Sequence, residues 1–311
     1  MTQVEERKKI DSERVFNMSK PVHSDFLIYW TGRDFDEDRY VDLTSSYSSK
    51  TSDKITDLYL ERFISILKYG LWMCKSKGDE KININKNLNK KPIIKSPVAR
   101  ACFTELRLSE VRKHALNYGR LGIGVKRYFV FDRLGGPMVY VQERTNNLLF
   151  PPFSDFLSNK KEMLSFVKHM CPPGRTPKRY DLFDESEWRI IYSESIREKI
   201  EKSDVDNSRK QEILNSFIKP SEIKDKTFQD YIKEHDEEKK LEYLIPLDRW
   251  FAMIIYPSLA VKLESERCRK IRCLIKKLKP DLPKGEKPYG DARDEIFNKP
   301  IELNLDACRN F

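Results

Sequence analysis

The run "ARACFTELRLSEVRKHALNYGRLGIGVKRYFV", residues 99 to 130, constrains the fold more than any other stretch. "RACFTEL" reads as a short strand. Leu108, Val111, Ala115 and Tyr118 then recur at helical spacing, with Ser109 as the N-cap and Gly119 as the stop. "GIGVKRYFVFD" returns to strand character, and with "PMVYVQ" across the Gly-Gly-Pro of "RLGGP" it predicts a hairpin. Strand, short helix and strand in one run predict an α+β fold in which helices pack around a mixed or antiparallel central sheet.

The flanking segments extend this pattern. "DFLIYWTG" is an apolar, aromatic run closed by Gly32 and predicts a buried strand. "ITDLYLERFISILKYG" repeats apolar residues at Ile55, Leu58, Tyr59, Phe63, Ile66 and Leu67, which predicts an amphipathic helix stopped by Gly70. The Lys- and Asn-rich segment "KSKGDEKININKNLNKKPIIKSP" predicts an exposed loop, and "FSDFLSNKKEMLSFVKHM" predicts a helix. "ESEWRIIYSE" predicts a strand with Trp188, Ile190 and Tyr192 on one side and Glu187, Arg189 and Ile191 on the other. "EYLIPLDRWFAMIIYPS" is strand-like core. "VKLESERCRKIRCLIKKLKP" predicts one basic amphipathic helix.

The expected organisation is a polar arm over 1–24, a main α+β domain over 25–196, a charged, mobile helical insertion over 197–240, and a C-terminal strand and helix over 241–311 that complete the main domain. At 311 residues the chain can bury a core without disulfides or metal. Its six cysteines form no Cys-x-x-Cys pair, the start lacks the apolar run of a secretory signal, and "WFAMIIYPSLAV" is far short of a membrane span. A cytoplasmic protein with no membrane association is expected.

Net charge is +10, with 59 basic and 49 acidic residues spread along the chain. Such a balance suits an acidic partner such as a nucleotide or nucleic acid, and it equally describes a solvated surface. P-loop, zinc-protease and serine-hydrolase motifs are missing, and the four histidines lie far apart, so no metal site is expected. "YGRLGIG" follows a helix and precedes a strand, the reverse of the order in a dinucleotide fingerprint. Gly122 and Gly124 fall on one strand face, where either a packed neighbour or a ligand can approach. Thr104 and Glu105 close a strand, a position that borders clefts and also suits capping. Glu187 and Arg189 point to the same side of their strand, where they either orient an anionic or ribose-bearing ligand or form a salt bridge. His114, one turn after Glu110, reads as structural or surface.

Taken in order, "SDFLIYWTG", "ILKYGLWM", the run from Ala101 to Val130, "GGPMVYV" and "DESEWRIIY" resemble the AbiGi-type abortive-infection proteins of bacteria, over residues 24 to about 192. The resemblance implies a role in phage defence as the antitoxin-like member of a two-gene system, acting through a co-encoded protein partner. It transfers no catalytic residues. The layout is also similar to that of ADP-ribosyltransferase-like enzymes, which cleave NAD through an oxocarbenium-like state stabilised by a glutamate. That likeness implies Glu187 as the catalytic carboxylate, Tyr29, Trp30 and Thr31 holding ribose or stacking on the ring, and Tyr118 lining a nicotinamide pocket. Where such enzymes carry a His or Arg on the first strand, this chain has Tyr29 or Trp30.

Three functional expectations follow. The first is a defence protein acting through a partner or a nucleotide, with a cleft bordered by Thr104, Glu105, Gly122 and Gly124. The second is an NAD-consuming or ADP-ribosylating enzyme using Glu187; NAD enters as a cofactor only on that reading. The third is a nucleic-acid-binding module using Arg269, Arg272 and Lys276 of the basic C-terminal helix.

Overall fold

The computed structural model describes residues 26–35, 49–75, 81–82, 93–94, 98–105, 111–142, 161–170, 186–235, 240–278 and 299–310. Strands are β1 (Phe26–Thr31), β2 (Leu71–Lys75), β3 (Lys81–Ile82), β4 (Ile93–Ile94), β5 (Ala99–Glu105), β6 (Leu121–Lys126), β7 (Gly136–Pro137), β8 (Val139–Gln142), β9 (Val167–Met170), β10 (Glu187–Tyr192), β11 (Leu241–Ile245), β12 (Phe251–Tyr256) and β13 (Ile301–Asn304). Helices are α1 (Ser49–Tyr69), α2 (Val111–Tyr118), α3 (Arg127–Phe131), α4 (Glu194–Glu201), α5 (Asn207–Leu214), α6 (Lys226–His235), α7 (Leu259–Arg267) and α8 (Arg269–Leu278).

The fold is α+β with a mixed sheet flanked by helices. Its main path runs β11-β2-β5-β1-β6-β12-β13, and β10 and β7 join from the side of β5. Every pairing in this sheet is antiparallel except β12 with β13. Strand β5 is the junction. One of its edges pairs with β10 from Ala99 to Thr104, while the other takes β2 at Ala99 and Arg100 and β1 at Thr104 and Glu105. β1 and β2 therefore diverge from one edge of β5. The Tyr29 hydroxyl spans this fork and donates to the Trp72 carbonyl at 3.1 Å.

Alternation sets the two faces of the sheet. Leu27, Ala101, Phe103, Ile123, Val125, Ile190 and Ile254 share the larger core with α1, through Tyr59, Phe63 and Ile66, and with α8, through Ile271 and Ile275. Each fully buried apolar side chain of this kind contributes about 1.5–3 kcal/mol. On the other face, Ile28, Trp30, Met253 and Ile255 pack under Val111 and Ala115 of α2. Gly70 ends α1 with φ +111°, and a Cβ there would lie 2.2 Å from the Ile245 carbonyl oxygen. Only glycine fits at this point, where Ile245 of β11 pairs with Leu71 of β2.

Several local expectations are corrected. The predicted hairpin does not form: residues 127–131 are helical, and β7 pairs with β10 instead of β6. The reason is tertiary, since Phe129 and Val130 enter the core and Arg133 ties this turn to Asp248 at 2.8 Å. Of the helix expected over 153–170, the described part is a 3-10 turn at Lys161–Phe166 followed by β9, which pairs in parallel with β8. The C-terminal helix is two helices, broken where Cys268 turns extended at ψ 101°. Within the Lys- and Asn-rich loop, β3 and β4 pair over two residues each. The 1–24 arm, Ser109 and Glu110 lie outside the described residues. Residues 197–235 are largely helical, through α4, α5 and α6, but they are not the mobile insertion expected: Ile200, Ile213 and Phe217 anchor them in the larger core and Phe228 and Ile232 pack against Trp72.

Buried phenols make this core sensitive to alkali. Burial pushes Tyr192 up to about 12 and drives Tyr29, Tyr243 and Tyr256 higher still. An unfolded tyrosine titrates near 10, so the stability these groups carry is complete below about pH 10 and is lost as pH rises through the folded values. The expected result is a single unfolding step above about pH 10, with phenolate absorbance rising together with loss of circular dichroism. Ionisation of all 14 tyrosines by absorbance with the dichroism unchanged would contradict it.

Candidate functional site

Two polar centres adjoin β1 through the neighbouring residues Trp30 and Thr31. The first gathers where β5, β10 and β1 meet. Glu187 opposes Thr104, and Thr104 in turn opposes Ile28. The Trp30 indole donates to the Thr104 hydroxyl at 2.9 Å, so Trp30, Thr104 and Glu187 lie along one face of the sheet. Arg189, two residues on, donates from Nε to Glu187 Oε1 at 2.7 Å and from Nη1 to the Ser165 carbonyl at 2.6 Å. Glu187 and Arg189 are each 6% exposed. Such a pair persists in the interior only because ion pairing and further hydrogen bonds offset the cost of desolvation.

Glu105 is the next residue after Thr104 and so faces the opposite side of the sheet from Glu187. Arg127 binds it at 3.0 Å while its guanidinium lies 5.4 Å from the centre of the Trp188 ring. The strand end is held by the Glu105 amide, which donates to the Ser186 carbonyl, and by the Glu187 amide, which donates to the Tyr140 hydroxyl. Ser186 has φ +40°, an uncommon conformation for a side-chain-bearing residue, and it turns the chain into β10. Two carboxylates on opposite faces cannot flank one bond as an acid–base pair does. What the geometry offers is a carboxylate and guanidinium side by side, with a hydroxyl and an indole along the same face.

The second centre is built on Arg62 of α1, which is 1% exposed. Its guanidinium donates to Thr31 Oγ1 at 2.9 Å, Asp34 Oδ2 at 2.7 Å and the Tyr231 hydroxyl at 2.5 Å. It also lies 4.8 Å from the Phe35 ring centre and 4.7 Å from that of Trp72. His235 Nδ1 approaches Asp34 at 3.8 Å.

The expected site residues therefore separate. Trp30, Thr104, Glu187 and Arg189 come together, and Glu105 sits beside them on the far face. Tyr118 packs against the cluster that holds Trp30. Thr31 serves Arg62, and Tyr29 braces the strand fork. A Cβ at Gly122 would lie 2.9 Å from Trp30, and one at Gly124 2.5 Å from Met253, so packed neighbours fill that face. Arg272 points inward to Glu302 at 2.6 Å and to Ser265, whereas Arg269 and Lys276 are exposed. The three basic residues thus do not form one free face. Among the described residues no group of His, Cys, Asp and Glu is arranged to hold a metal ion, and no helix is long and apolar enough to cross a membrane.

Arg62 and Arg127 escaped the sequence reading. Arg62 was detectable, because it occupies the apolar stripe of α1 between Tyr59, Phe63 and Ile66, where a charge requires buried partners. Arg127 carried no such signal. Comparison with protein-family models, with curated proteins and with solved structures gives no match to this chain.

Proposed function

We propose that the chain is a cytoplasmic antiphage defence protein of an abortive-infection or toxin–antitoxin system, acting through a nucleotide ligand bound at the Glu187 centre or through a co-encoded partner. The observation that carries the nucleotide reading is the buried Glu187–Arg189 pair beside Thr104 and Trp30. A carboxylate accepts ribose hydroxyls and a guanidinium pairs with phosphate. The resemblance to AbiGi-type proteins supplies the defence context.

A second reading is an ADP-ribosyltransferase-like, NAD-consuming enzyme with Glu187 as the carboxylate that stabilises an oxocarbenium-like state. It is favoured by the placement of Trp30, Thr104 and Glu187 on one face. The Arg189 contact weighs against it, because a carboxylate already neutralised by a guanidinium stabilises a developing cation less. The nucleic-acid reading is the weakest, since Arg272 is spent on Glu302.

The test is to incubate wild-type and Glu187→Gln protein with NAD, follow nicotinamide release, and measure ADP-ribose binding by calorimetry. The expected result is binding to wild type, at least about tenfold weaker in the variant, with no nicotinamide released. Release by wild type alone would favour the enzyme. Neither binding nor release would remove the nucleotide arm and leave the protein partner. Fold must be measured alongside, because glutamine keeps the shape but removes the charge facing buried Arg189, with an expected stability loss of about 2 kcal/mol in urea unfolding. A loss below about 0.5 kcal/mol would mean that the pair is not the buried ionic contact described above.

A further inference from the structure

The Glu187 centre extends along β5 beyond Thr104. Arg100, Cys102 and Thr104 alternate with the core residues Ala101 and Phe103, so all three stand on the Glu187 side of the sheet. Thr104 opposes Glu187, Cys102 opposes Arg189 and Arg100 opposes Ile191. On the other edge of β5, Thr104 borders β1 and Arg100 borders β2, and the two strands part at Cys102. Building on the nucleotide reading above, we propose that Arg100 is the phosphate-binding residue of this centre. The ligand class is then a nucleoside 5′-phosphate laid along β5, with its ribose toward Glu187 and its phosphate over Cys102 toward Arg100.

Access to the centre is at Cys102. Thr104, Glu187 and Arg189 are buried, whereas Cys102 is exposed and Arg100 half-buried. Burial nevertheless pushes the Cys102 thiol up to about 11, and the neighbouring Glu187 carboxylate adds to the rise. A group that touches water on one side and is desolvated by protein on the others lies on the floor of a recess. A ligand that enters this recess therefore reaches Glu187 and Arg189 by way of Cys102.

Charge sets which end the phosphate takes. Arg189 already donates to Glu187 and to the Ser165 carbonyl, and a phosphate beside Glu187 would face a like charge. Arg100 also acts on the Cys102 thiol, lowering its pKa against burial, so its charge is felt in the recess. A guanidinium matches phosphate with a planar fork of donors. Four residues of strand put Arg100 about 13 Å from Thr104. A ribose with its 5′-phosphate, met by the long arginine side chain, covers that span.

The test is calorimetric titration of the full chain with adenosine, ADP and inorganic pyrophosphate at physiological salt. Wild type is expected to bind ADP at least about tenfold more tightly than either adenosine or pyrophosphate. Arg100→Gln is expected to weaken ADP about tenfold and to leave adenosine unchanged, Arg100→Lys to recover part of the loss, and Glu187→Gln to weaken both nucleosides. Cys102→Phe, which fills the recess, should abolish ADP binding with the melting temperature near wild type. ADP bound equally by Arg100→Gln and wild type, with Glu187→Gln still weakened, overturns the role of Arg100 and spares the nucleotide reading. ADP binding unchanged by Cys102→Phe places the ligand elsewhere, and pyrophosphate bound as tightly as ADP leaves a simple anion site; either result overturns the proposal. Absence of ADP binding by wild type overturns it as well, and absence of ADP-ribose binding in addition removes the nucleotide reading.

Discussion

Arg62→Met is expected to lower the unfolding free energy by about 4 kcal/mol. The guanidinium donates to three acceptors and lies between Phe35 and Trp72, so its removal deletes hydrogen bonds and aromatic contact together. Asp34 is 25% exposed and keeps some hydration, so its leftover charge is only part of the cost. The larger part comes from the Thr31 and Tyr231 oxygens, which lose their donor, and from the space left between two rings. Arg62→Lys should recover little of this, because an ammonium cannot reach three acceptors from one planar fork. Urea unfolding followed by circular dichroism decides it, and a loss below about 1 kcal/mol would sink the account.

Gly119→Ala is expected to cost about 3 kcal/mol. Gly119 has φ +112°, a conformation that glycine reaches freely and alanine does not. A Cβ there would lie 2.3 Å from the Thr31 carbonyl oxygen and 2.6 Å from the Arg33 amide nitrogen, both backbone atoms with little room to yield. Gly136→Ala is the control, since a Cβ at Gly136 meets nothing within 4 Å, and its change should stay within about 1 kcal/mol. Equal effects of the two substitutions in thermal unfolding would refute the explanation. Because Thr31 is common to this contact and to the Arg62 centre, the double variant Gly119→Ala/Arg62→Met should lose less than the sum of the singles.

Both effects bear on the Glu187 centre. Thr31 and Trp30 are neighbours on β1, and Trp30 carries the hydrogen bond to Thr104. Displacing residues 31–33 therefore moves the strand that supplies the indole. Weakened ADP-ribose binding in Gly119→Ala would come from this displacement, with Glu187 itself untouched.

What was legible in the sequence followed from local periodicity. The apolar stripe of α1, the short helix α2 with its glycine stop, the apolar run of β1, the short strand β5 and the alternation of β10 are properties of neighbouring residues, and each element appears where the pattern placed it. The pairing of Glu187 with Arg189 on one side of a strand was legible for the same reason. Residues 127–131 were not: "RYFVF" suits a strand as well as a helix, and its conformation is set by Phe129 and Val130 entering the core and by Arg133 reaching Asp248, 115 residues away.

The sequence alone determined the class of the fold, the positions of its main strands and helices, and one face on which a carboxylate and a guanidinium stand together, because period 2 and period 3.6 are written in adjacent residues. Only the tertiary structure decided which strands meet, that β5 joins three partners, that Glu105 and Glu187 face opposite ways, and that Arg62 is buried among Thr31, Asp34 and Tyr231. Those arrangements depend on contacts between residues far apart in the chain. The hydrophobic drive that forms such contacts is non-directional and carries no local mark of which distant partner it will select.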